Sequence, residues 1–254
     1  MPRKPRQLSN TGIYHIVLRG VSSCCLFEDA SDFYRFLDLL RQSKVKHKNQ
    51  ILAYCLMDNH VHLLLREETT GSVFKAMQGL LSQYASWFNR KYHRSGALIA
   101  NRYKSEGIES DRHLMAAIRY IHQNPLNAHM VEKLERYRWS SYRDYLKDRP
   151  ENTDTRFILD NFSHDHYEAV KLFIAFHQTE NSQGWQEPGD VKINDVLLRE
   201  MIFDSLEGAN PNMIIGLPKP QRNDLIRRLR DNGLSTRQIE RITGISRGVI
   251  SRCV

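Results

Sequence analysis

The sequence has no apolar run that approaches the ~18 residues of a bilayer-spanning helix, so we predict no transmembrane segment. Residues 1–7 are basic, but no apolar stretch follows them, and we do not expect them to form a signal peptide. The cysteines (Cys24, Cys25, Cys55 and Cys253) lack the paired spacing of a zinc site, and a disulfide framework is not expected in a chain of 254 residues. These absences predict a cytoplasmic protein without a membrane partner.

Three common signatures of cofactor and acyl chemistry are also missing. The sequence contains no phosphate-binding loop, no nucleophile elbow of the Gly-x-Ser-x-Gly type and no dinucleotide-binding glycine pattern. What it does contain is an excess of positive charge, with a formal net charge of +8 and a pI near 9.3. Because neutralising phosphates gives affinity that does not depend on sequence, this charge favours a nucleic acid as partner.

The spacing of apolar residues predicts alternating strands and helices. In chain order these are a strand (residues 12–18), a helix (29–45), a hairpin of two strands (51–66), a helix (70–92), a strand (102–109) and a helix (111 to about 122) that Pro125 is expected to stop. The order β-α-β-β-α-β-α predicts an α+β fold, a ferredoxin-like antiparallel sheet with helices on one face.

A change of composition after Tyr145 suggests how the chain is organised. We place a first domain at residues 1–146, a linker with accessory helices at 147–217 and an all-α C-terminal region at 218–254.

Two histidines in the predicted hairpin are the strongest chemical signal. His60 and His62 follow the polar turn Asp58-Asn59, and residues two apart in a strand point to the same face. Both imidazoles can therefore meet one metal ion while Val61 points into the core. The same spacing also occurs in strands that bind no metal.

A tyrosine and an asparagine at the end of the helix that precedes Pro125 complete a possible phosphotransfer site. Tyr120 and Asn124 are four residues apart and share one helix face. Tyr120 can supply the nucleophile, while His60, His62 and the Asn124 side-chain oxygen hold Mg²⁺ or Mn²⁺ against the phosphate. The alternatives are that Asn124 caps the helix end and that Tyr120 is an ordinary core tyrosine.

Other residues could play these roles, but their surroundings are less suitable. Tyr137, Tyr142 and Tyr145 are rival nucleophiles, yet they follow the proline and lack a metal-ligand partner at helical spacing. The run His164-Asp165-His166 could bind a metal, but it lies in a polar connection with no third ligand in view.

Two motifs resemble a known family. Residues 57–65 (MDNHVHLLL) and 119–125 (RYIHQNP) closely resemble the single-tyrosine (Y1) HUH transposases of the IS200 type, and more specifically the REP-associated tyrosine transposases. Residues 14–20 and 137–142 also resemble that subgroup, and the resemblance covers about residues 8–146. It implies a ferredoxin-like fold, a divalent metal, and a helix tyrosine that forms a 5′-phosphotyrosine with hairpin-forming single-stranded DNA, in a monomer or homodimer.

The resemblance also implies a role for each site residue. His60 and His62 are metal ligands, Tyr120 is the nucleophile, and Asn124 is the third ligand, at a position that holds glutamine in some relatives. The minimal members of the family end near the tyrosine helix, whereas this chain continues for about a hundred residues.

Residues 218–254 carry a second DNA-binding signal. This region contains nine basic and three acidic side chains. The helical pattern around the turn at Gly244-Ile245 is typical of a helix-turn-helix. The last helix of that motif normally enters the major groove of duplex DNA. Arg247, Ser251 and Arg252 are therefore candidate contacts, and a helical bundle used only for packing is the alternative.

Two other functions remain open. One is a ferredoxin-like RNA endonuclease that uses histidine and tyrosine without metal and requires the 2′-hydroxyl of its substrate. The other is a non-catalytic DNA-binding regulator that uses residues 218–254 and forms no covalent adduct. The joint presence of His60, His62, Tyr120 and Asn124 favours catalysis.

Overall fold

One antiparallel sheet organises the first of two compact units, Met1–Asp190 and Val191–Val254. The computed structural model describes residues 6–100, 102–178, 217–231, 236–243, 245–251 and 253. The strands are β1 (Ile13–Arg19), β2 (Gln50–Met57), β3 (His60–Arg66) and β4 (Lys104–Gly107), in the spatial order β2-β3-β1-β4. Each neighbouring pair is antiparallel, so the predicted α+β class and ferredoxin-like sheet are confirmed.

The helices of the first unit connect and extend this sheet. They are α1 (Ala30–His47), α2 (Ser72–Lys91), α3 (Asp111–Asn127), α4 (Arg156–Leu159) and α5 (His166–Gln178), with 3-10 turns at Val21–Ser23, Leu134–Arg136 and Ser141–Leu146. In the described part of the chain, none of the helices combines the length and apolar character that crossing a bilayer requires.

Helices cover both faces of the sheet, whereas the sequence led us to expect them on one face only. Helices α1 and α2 pack on the face that carries Tyr14, Ile16 and Leu18. Helices α3, α4 and α5 pack on the opposite face, which carries Ile13 and Leu64. The strands are apolar on both sides, as expected for a sheet buried between two layers, and this is why one-sided packing was the wrong expectation.

Helix α3 continues through Pro125 to Asn127, past the point where we expected it to stop. The Asn124 side-chain amide donates to the Tyr120 carbonyl at 2.9 Å, and the Ala128 backbone N–H donates to the Asn124 carbonyl at 2.9 Å. A proline removes one backbone donor from a helix. The carbonyl that loses its helical donor here is that of Ile121, and the helical bond from Ala128 to Asn124 beyond it shows that the last turn continues past the buried Pro125 ring.

Residues 137–145 run along the outer edge of β2. They form hydrogen bonds to backbone groups of that strand through side-chain hydroxyls and one backbone carbonyl, and they do not form a further strand of the sheet. These contacts are Leu56 N–H to the Trp139 carbonyl (2.9 Å), Tyr54 N–H to Ser141 Oγ (2.9 Å), the Tyr137 hydroxyl to the Leu56 carbonyl (2.8 Å) and the Tyr145 hydroxyl to the Leu52 carbonyl (2.5 Å).

The second unit contains three described helices, α6 (Lys219–Asp231), α7 (Thr236–Thr243) and α8 (Arg247–Ile250). They share a small apolar core formed by Ile226, Leu229, Ile239, Ile245, Ile250 and Cys253. Ser251 is exposed, while Arg252 and the side chain of Arg247 lie outside the described residues. Residues 179–216 of the predicted linker also lie outside them. The helix-turn-helix assignment and the functional boundaries at 146 and 217 stay predictions.

Candidate active site

The two histidines of β3 lie side by side on the face of the sheet that α3 covers. Their ring centroids are 5.1 Å apart, and β3 is a central strand between β1 and β2. Val61, between them, has an exposed fraction of 0% and belongs to the core on the α1 and α2 face. The period of two along a strand thus brings His60 and His62 together, as the sequence predicted.

A third histidine, His15, joins this pair. It lies on β1 opposite Leu64 of β3, and therefore on the same face as His62. Its Nε2 is 3.1 Å from His62 Nδ1, and the two rings stack with centroids 5.4 Å apart. The sequence reasoning assigned His15 no role, although one signal was present, a histidine at an alternating position of an otherwise apolar strand.

Burial keeps the His15–His62 pair neutral. Both side chains have an exposed fraction of 0%. Burial lowers the pKa of His15 to about 3, and burial, together with electrostatic interactions that include the Arg19 charge, lowers the pKa of His62 well below its usual value. A neutral imidazole carries one lone pair on a ring nitrogen, which is what a metal ligand requires.

Tyr120 of α3 lies beside these rings. Its ring centroid is 5.4 Å from that of His62 and 6.0 Å from that of His15, with both contacts edge-on. The residue is half-buried at the border of the apolar stripe by which α3 packs on the sheet. The structure therefore brings the predicted nucleophile to the predicted metal ligands, although they are far apart in sequence.

Asn124 lies one helical turn beyond Tyr120. Only its NH₂ group can donate to the Tyr120 carbonyl, and that bond is 2.9 Å long. The oxygen Oδ1 is then the end of the side chain that a cation could use. The helix-capping alternative is wrong, because α3 continues to Asn127 and its C-cap is Ala128. The ligand hypothesis stays a prediction, and it uses the amide oxygen that the bond to Tyr120 leaves available.

These donors fit a divalent cation that also binds phosphate. Two imidazoles and one amide oxygen leave coordination positions for phosphate oxygens and water. Within the described ranges, no three His, Cys, Asp or Glu side chains form a metal-binding cluster. A site made from His60, His62 and Asn124 contains only two residues of those types, so its cation would depend on the amide and on the bound phosphate.

Charged side chains lie next to the histidines on the same face of the sheet. Arg19 pairs with His60 across β1 and β3, and Lys104 of β4 pairs with Val17 of β1. Arg19 is close enough that its charge contributes to the lowered pKa of His62. Glu106 of β4 lies opposite His15 on the same face, so an approaching phosphodiester would meet two cationic side chains and one carboxyl group there.

The structure argues against the rival tyrosines as nucleophiles. Tyr137, Tyr142 and Tyr145 are buried, and the hydroxyls of Tyr137 and Tyr145 donate to carbonyls of β2. Burial raises the pKa of Tyr142 to about 12, and burial also raises the pKa values of Tyr137 and Tyr145. A phenol that is hard to deprotonate and closed off from solvent cannot attack a DNA strand. The rival metal site predicted at residues 164–166 includes His166, whose Nε2 lies 3.5 Å from Asp148 Oδ1.

A second buried histidine pair links α3 to α5. His122 Nδ1 lies 3.0 Å from His177 Nε2, and His122 Nε2 lies 2.8 Å from Ser141 Oγ. His177 Nδ1 lies 2.9 Å from the Phe173 carbonyl, and the Gln123 amide donates to the His177 carbonyl at 2.9 Å. Sequence reasoning missed this pair because no motif or periodicity relates α3 to α5.

The protons in this second pair can be assigned from its ends. A carbonyl only accepts, so His177 donates from Nδ1 to the Phe173 carbonyl and accepts at Nε2. His122 then donates from Nδ1 and accepts from the Ser141 hydroxyl at Nε2. Burial lowers the pKa of His177 to about 4 and that of His122 well below its usual value, so both rings are neutral near pH 7.

Comparisons with known proteins bear on the family and the fold of this chain. Residues 9–124 match the family profile described as "Transposase IS200 like". A solved structure described as "Structure of the REP associates tyrosine transposase bound to a REP hairpin" has a TM-score of 0.50 and 14% sequence identity to this chain. The alignment covers 58% of this chain and 87% of that one, and at this identity it shows a shared fold. A search among curated proteins gave no significant match.

Proposed function

Because residues 9–124 belong to the IS200-like transposase family, we propose that this protein is a single-strand DNA endonuclease and strand transferase that works through a 5′-phosphotyrosine. The observation that carries the proposal is the position of Tyr120, whose ring lies 5.4 Å from that of His62 on a face shared with His60. A nucleophile beside two imidazoles suits metal-assisted phosphodiester chemistry.

The proposed reaction exchanges one phosphate ester for another. The Tyr120 oxygen attacks phosphorus, its bond to phosphorus forms, and the bond from phosphorus to the DNA 3′ oxygen breaks. The phenol, whose ordinary pKa is about 10, gives up its proton and the leaving 3′ oxygen gains one. Mg²⁺ or Mn²⁺, held by His60, His62 and Asn124, would neutralise the phosphate oxygens during this exchange.

Rejoining is the same exchange in reverse. A 3′-hydroxyl attacks the phosphotyrosine and releases Tyr120, so the covalent bond itself conserves the energy and no nucleotide cofactor is needed. On the protein side, α3 holds Tyr120 against the sheet, and Arg19 and Lys104 place positive charge on the same face.

The proposed substrate is single-stranded DNA that forms hairpins, acted on in the cytoplasm by a monomer or homodimer. Two observations support it: the formal net charge of +8 and the description of the solved protein of similar fold as bound to a REP hairpin. Duplex DNA is a second proposed ligand, bound through residues 218–254.

The test compares Tyr120→Phe with the wild type. A labelled all-deoxy hairpin is incubated with full-length protein and Mn²⁺ or Mg²⁺, and covalent complexes are separated on a denaturing gel. We expect an adduct with the wild type and none with Tyr120→Phe, because the substitution removes the attacking oxygen and keeps the ring. Tyr167→Phe is the matched control, since the Tyr167 side chain is 78% exposed and far from the site in the sequence.

Each outcome of this test decides something. An adduct with Tyr120→Phe would assign the nucleophile to another residue. An adduct with an all-deoxy substrate would exclude an RNA endonuclease that needs a 2′-hydroxyl, and it would equally exclude a non-catalytic regulator. Circular dichroism and a binding assay verify that Tyr120→Phe folds and still binds the hairpin.

The C-terminal region is expected to contribute binding rather than chemistry. Deleting residues 218–254 should weaken DNA binding and flatten its salt dependence by roughly 0.7–0.9 per lost phosphate contact. Adduct formation should persist at high substrate concentration. Unchanged affinity and salt slope would instead make this region a packing element. A shorter catalytic fragment should reach Gln178 rather than end at residue 146, because Phe173 of α5 belongs to the core.

A further inference from the structure

We propose that His15 is a positioning residue for the metal site, which holds His62 in the tautomer and ring orientation that present Nε2 to the cation. The inference rests on the proposed function, since it takes His62 to be a metal ligand. It adds a residue that touches neither DNA nor metal and acts through the ligand beside it.

The contact between the two rings is short and enclosed. His15 Nε2 and His62 Nδ1 are 3.1 Å apart, within hydrogen-bond distance, and the rings are nearly parallel, at 19°. Both side chains have an exposed fraction of 0%. They project from β1 and β3, adjacent central strands of the sheet, so the ring positions are set by the most regular part of the fold.

One proton lies between these two nitrogens, and its location decides whether His62 can bind a metal. If His15 Nε2 carries it, His62 accepts at Nδ1 and, as a neutral ring, holds its own proton on Nε2, where it blocks coordination. If His62 Nδ1 carries it, His15 accepts and the His62 lone pair lies on Nε2. Metal binding requires the second arrangement, with His15 as the acceptor.

The neighbouring ligand shows the same arrangement independently. His60 Nδ1 is 2.7 Å from Asn59 Oδ1, and an amide oxygen only accepts, so His60 donates from Nδ1. Its lone pair is then also on Nε2. Asn59 therefore accepts the Nδ1 proton of His60, as we propose that His15 accepts the Nδ1 proton of His62. Both rings would then offer Nε2 to one cation.

The test separates the acceptor from the packing of its ring. His15→Gln places an amide oxygen where Nε2 was, whereas His15→Leu keeps an apolar side chain of similar reach without an acceptor. Mn²⁺ affinity of the DNA-free, full-length protein is measured by electron paramagnetic resonance titration. We expect His15→Leu to weaken Mn²⁺ binding by roughly 10–100-fold and His15→Gln to recover most of that loss. His47→Leu, at a histidine in the last turn of α1 and outside both candidate metal sites, is the control.

A spectroscopic readout follows the tautomer directly. Nitrogen chemical shifts of imidazole distinguish a ring protonated at Nδ1 from one protonated at Nε2. We expect His62 to be protonated at Nδ1 in the metal-free wild type and in His15→Gln, and to shift toward the Nε2 form in His15→Leu. Thermal unfolding without metal verifies that each variant is folded.

The outcomes distinguish a failure of this inference from a failure of the proposed function on which it rests. A wild type that binds no Mn²⁺, with or without hairpin DNA, would refute the proposed metal site and the inference together. Wild-type binding that His15→Leu preserves, or that His15→Gln fails to recover, would refute the role of His15 and leave the proposed function standing. If His15→Leu does not fold, the wild-type spectrum decides, because His62 protonated at Nε2 would overturn the inference.

Discussion

The two buried histidine pairs, His15–His62 and His122–His177, are built from the same contact but have different neighbours. Each joins Nε2 of one ring to Nδ1 of the other, at 3.1 Å and 3.0 Å. In the second pair every ring nitrogen is committed to a protein group, from Ser141 at one end to the Phe173 carbonyl at the other. In the first pair, His62 lies beside both His60 and Tyr120.

The difference lies in what surrounds each pair. A pair whose nitrogens all meet protein groups can only hold elements together, and His122–His177 joins α3 to α5 and, through Ser141, to the β2 edge. A pair beside a candidate nucleophile can serve a cation. Because buried histidines occur in both settings, burial and a lowered pKa do not identify a functional site, and the neighbouring groups decide.

The largest contrast is expected from removing the proposed ligands. His60→Ala or His62→Ala should reduce adduct formation by roughly a thousandfold, because a bound cation supplies several kcal/mol of transition-state stabilisation. Single-turnover assays with a labelled hairpin and saturating Mn²⁺ measure the rate, with His47→Ala in the last turn of α1 as the control. Full activity of both variants in excess EDTA would show that the reaction needs neither the two histidines nor a metal ion.

The second pair is expected to control stability instead. His122→Ala should lower the free energy of unfolding by about 2–4 kcal/mol, because it leaves a cavity and takes hydrogen-bond partners from His177 and Ser141. Denaturant unfolding measures the loss. Mn²⁺ affinity per folded molecule should stay close to the wild-type value. A variant as stable as the wild type but impaired in metal binding would reverse the roles of the two pairs.

Acid should weaken the fold through both pairs. The folded pKa values, about 4 for His177 and about 3 for His15, lie below the ordinary histidine value near 6.5. The unfolded chain therefore binds more protons, so stability is fully present above pH 6.5 and is lost as the pH falls toward 4. The slope should reach about 1.4 kcal/mol per pH unit for each such group.

Denaturant unfolding of metal-free protein between pH 7.5 and pH 4.5 measures this loss. His177→Leu removes one of the groups, so its stability should fall less steeply with acid than that of the wild type. Equal slopes for the variant and the wild type would mean that His177 does not titrate as a buried neutral ring.

The smallest effect is expected at the end of the second pair. Ser141→Ala should destabilise the protein by about 1–3 kcal/mol, because His122 Nε2 and the Tyr54 N–H each lose a hydrogen-bond partner. Thermal unfolding compares it with Ser82→Ala, a substitution at an exposed helix position. Equal melting temperatures for the two variants would show that the hydroxyl contributes little to the network.

Local patterns predicted much of the sheet and part of the site. The period of two in β3 places His60 and His62 on one face, and the chain order of strands and helices gives the ferredoxin-like topology. The motif around Tyr120 identifies the nucleophile candidate, which the fold then brings to the histidines. The ligand roles of His60, His62 and Asn124 and the catalytic role of Tyr120 stay predictions until they are tested.

What the sequence did not predict depends on contacts between distant segments. The pairing of His15 with His62 requires the register of β1 on β3, and that of His122 with His177 requires α5 to pack on α3. No local pattern encodes either contact. The sheet's second layer of helices was readable in principle, because β2 is apolar on both sides.

The segment at residues 137–145 also bears on whether β2, an edge strand, can pair with a strand of another molecule. An edge strand that offers its N–H and C=O groups to solvent can pair with the same strand of another molecule and begin aggregation. Here the hydroxyls of Tyr137, Ser141 and Tyr145 bond to backbone groups of β2, and a side chain cannot extend a sheet. We expect a chain cut before Tyr137 to expose this edge and to aggregate more readily than the full-length protein, which light scattering at equal concentration would measure.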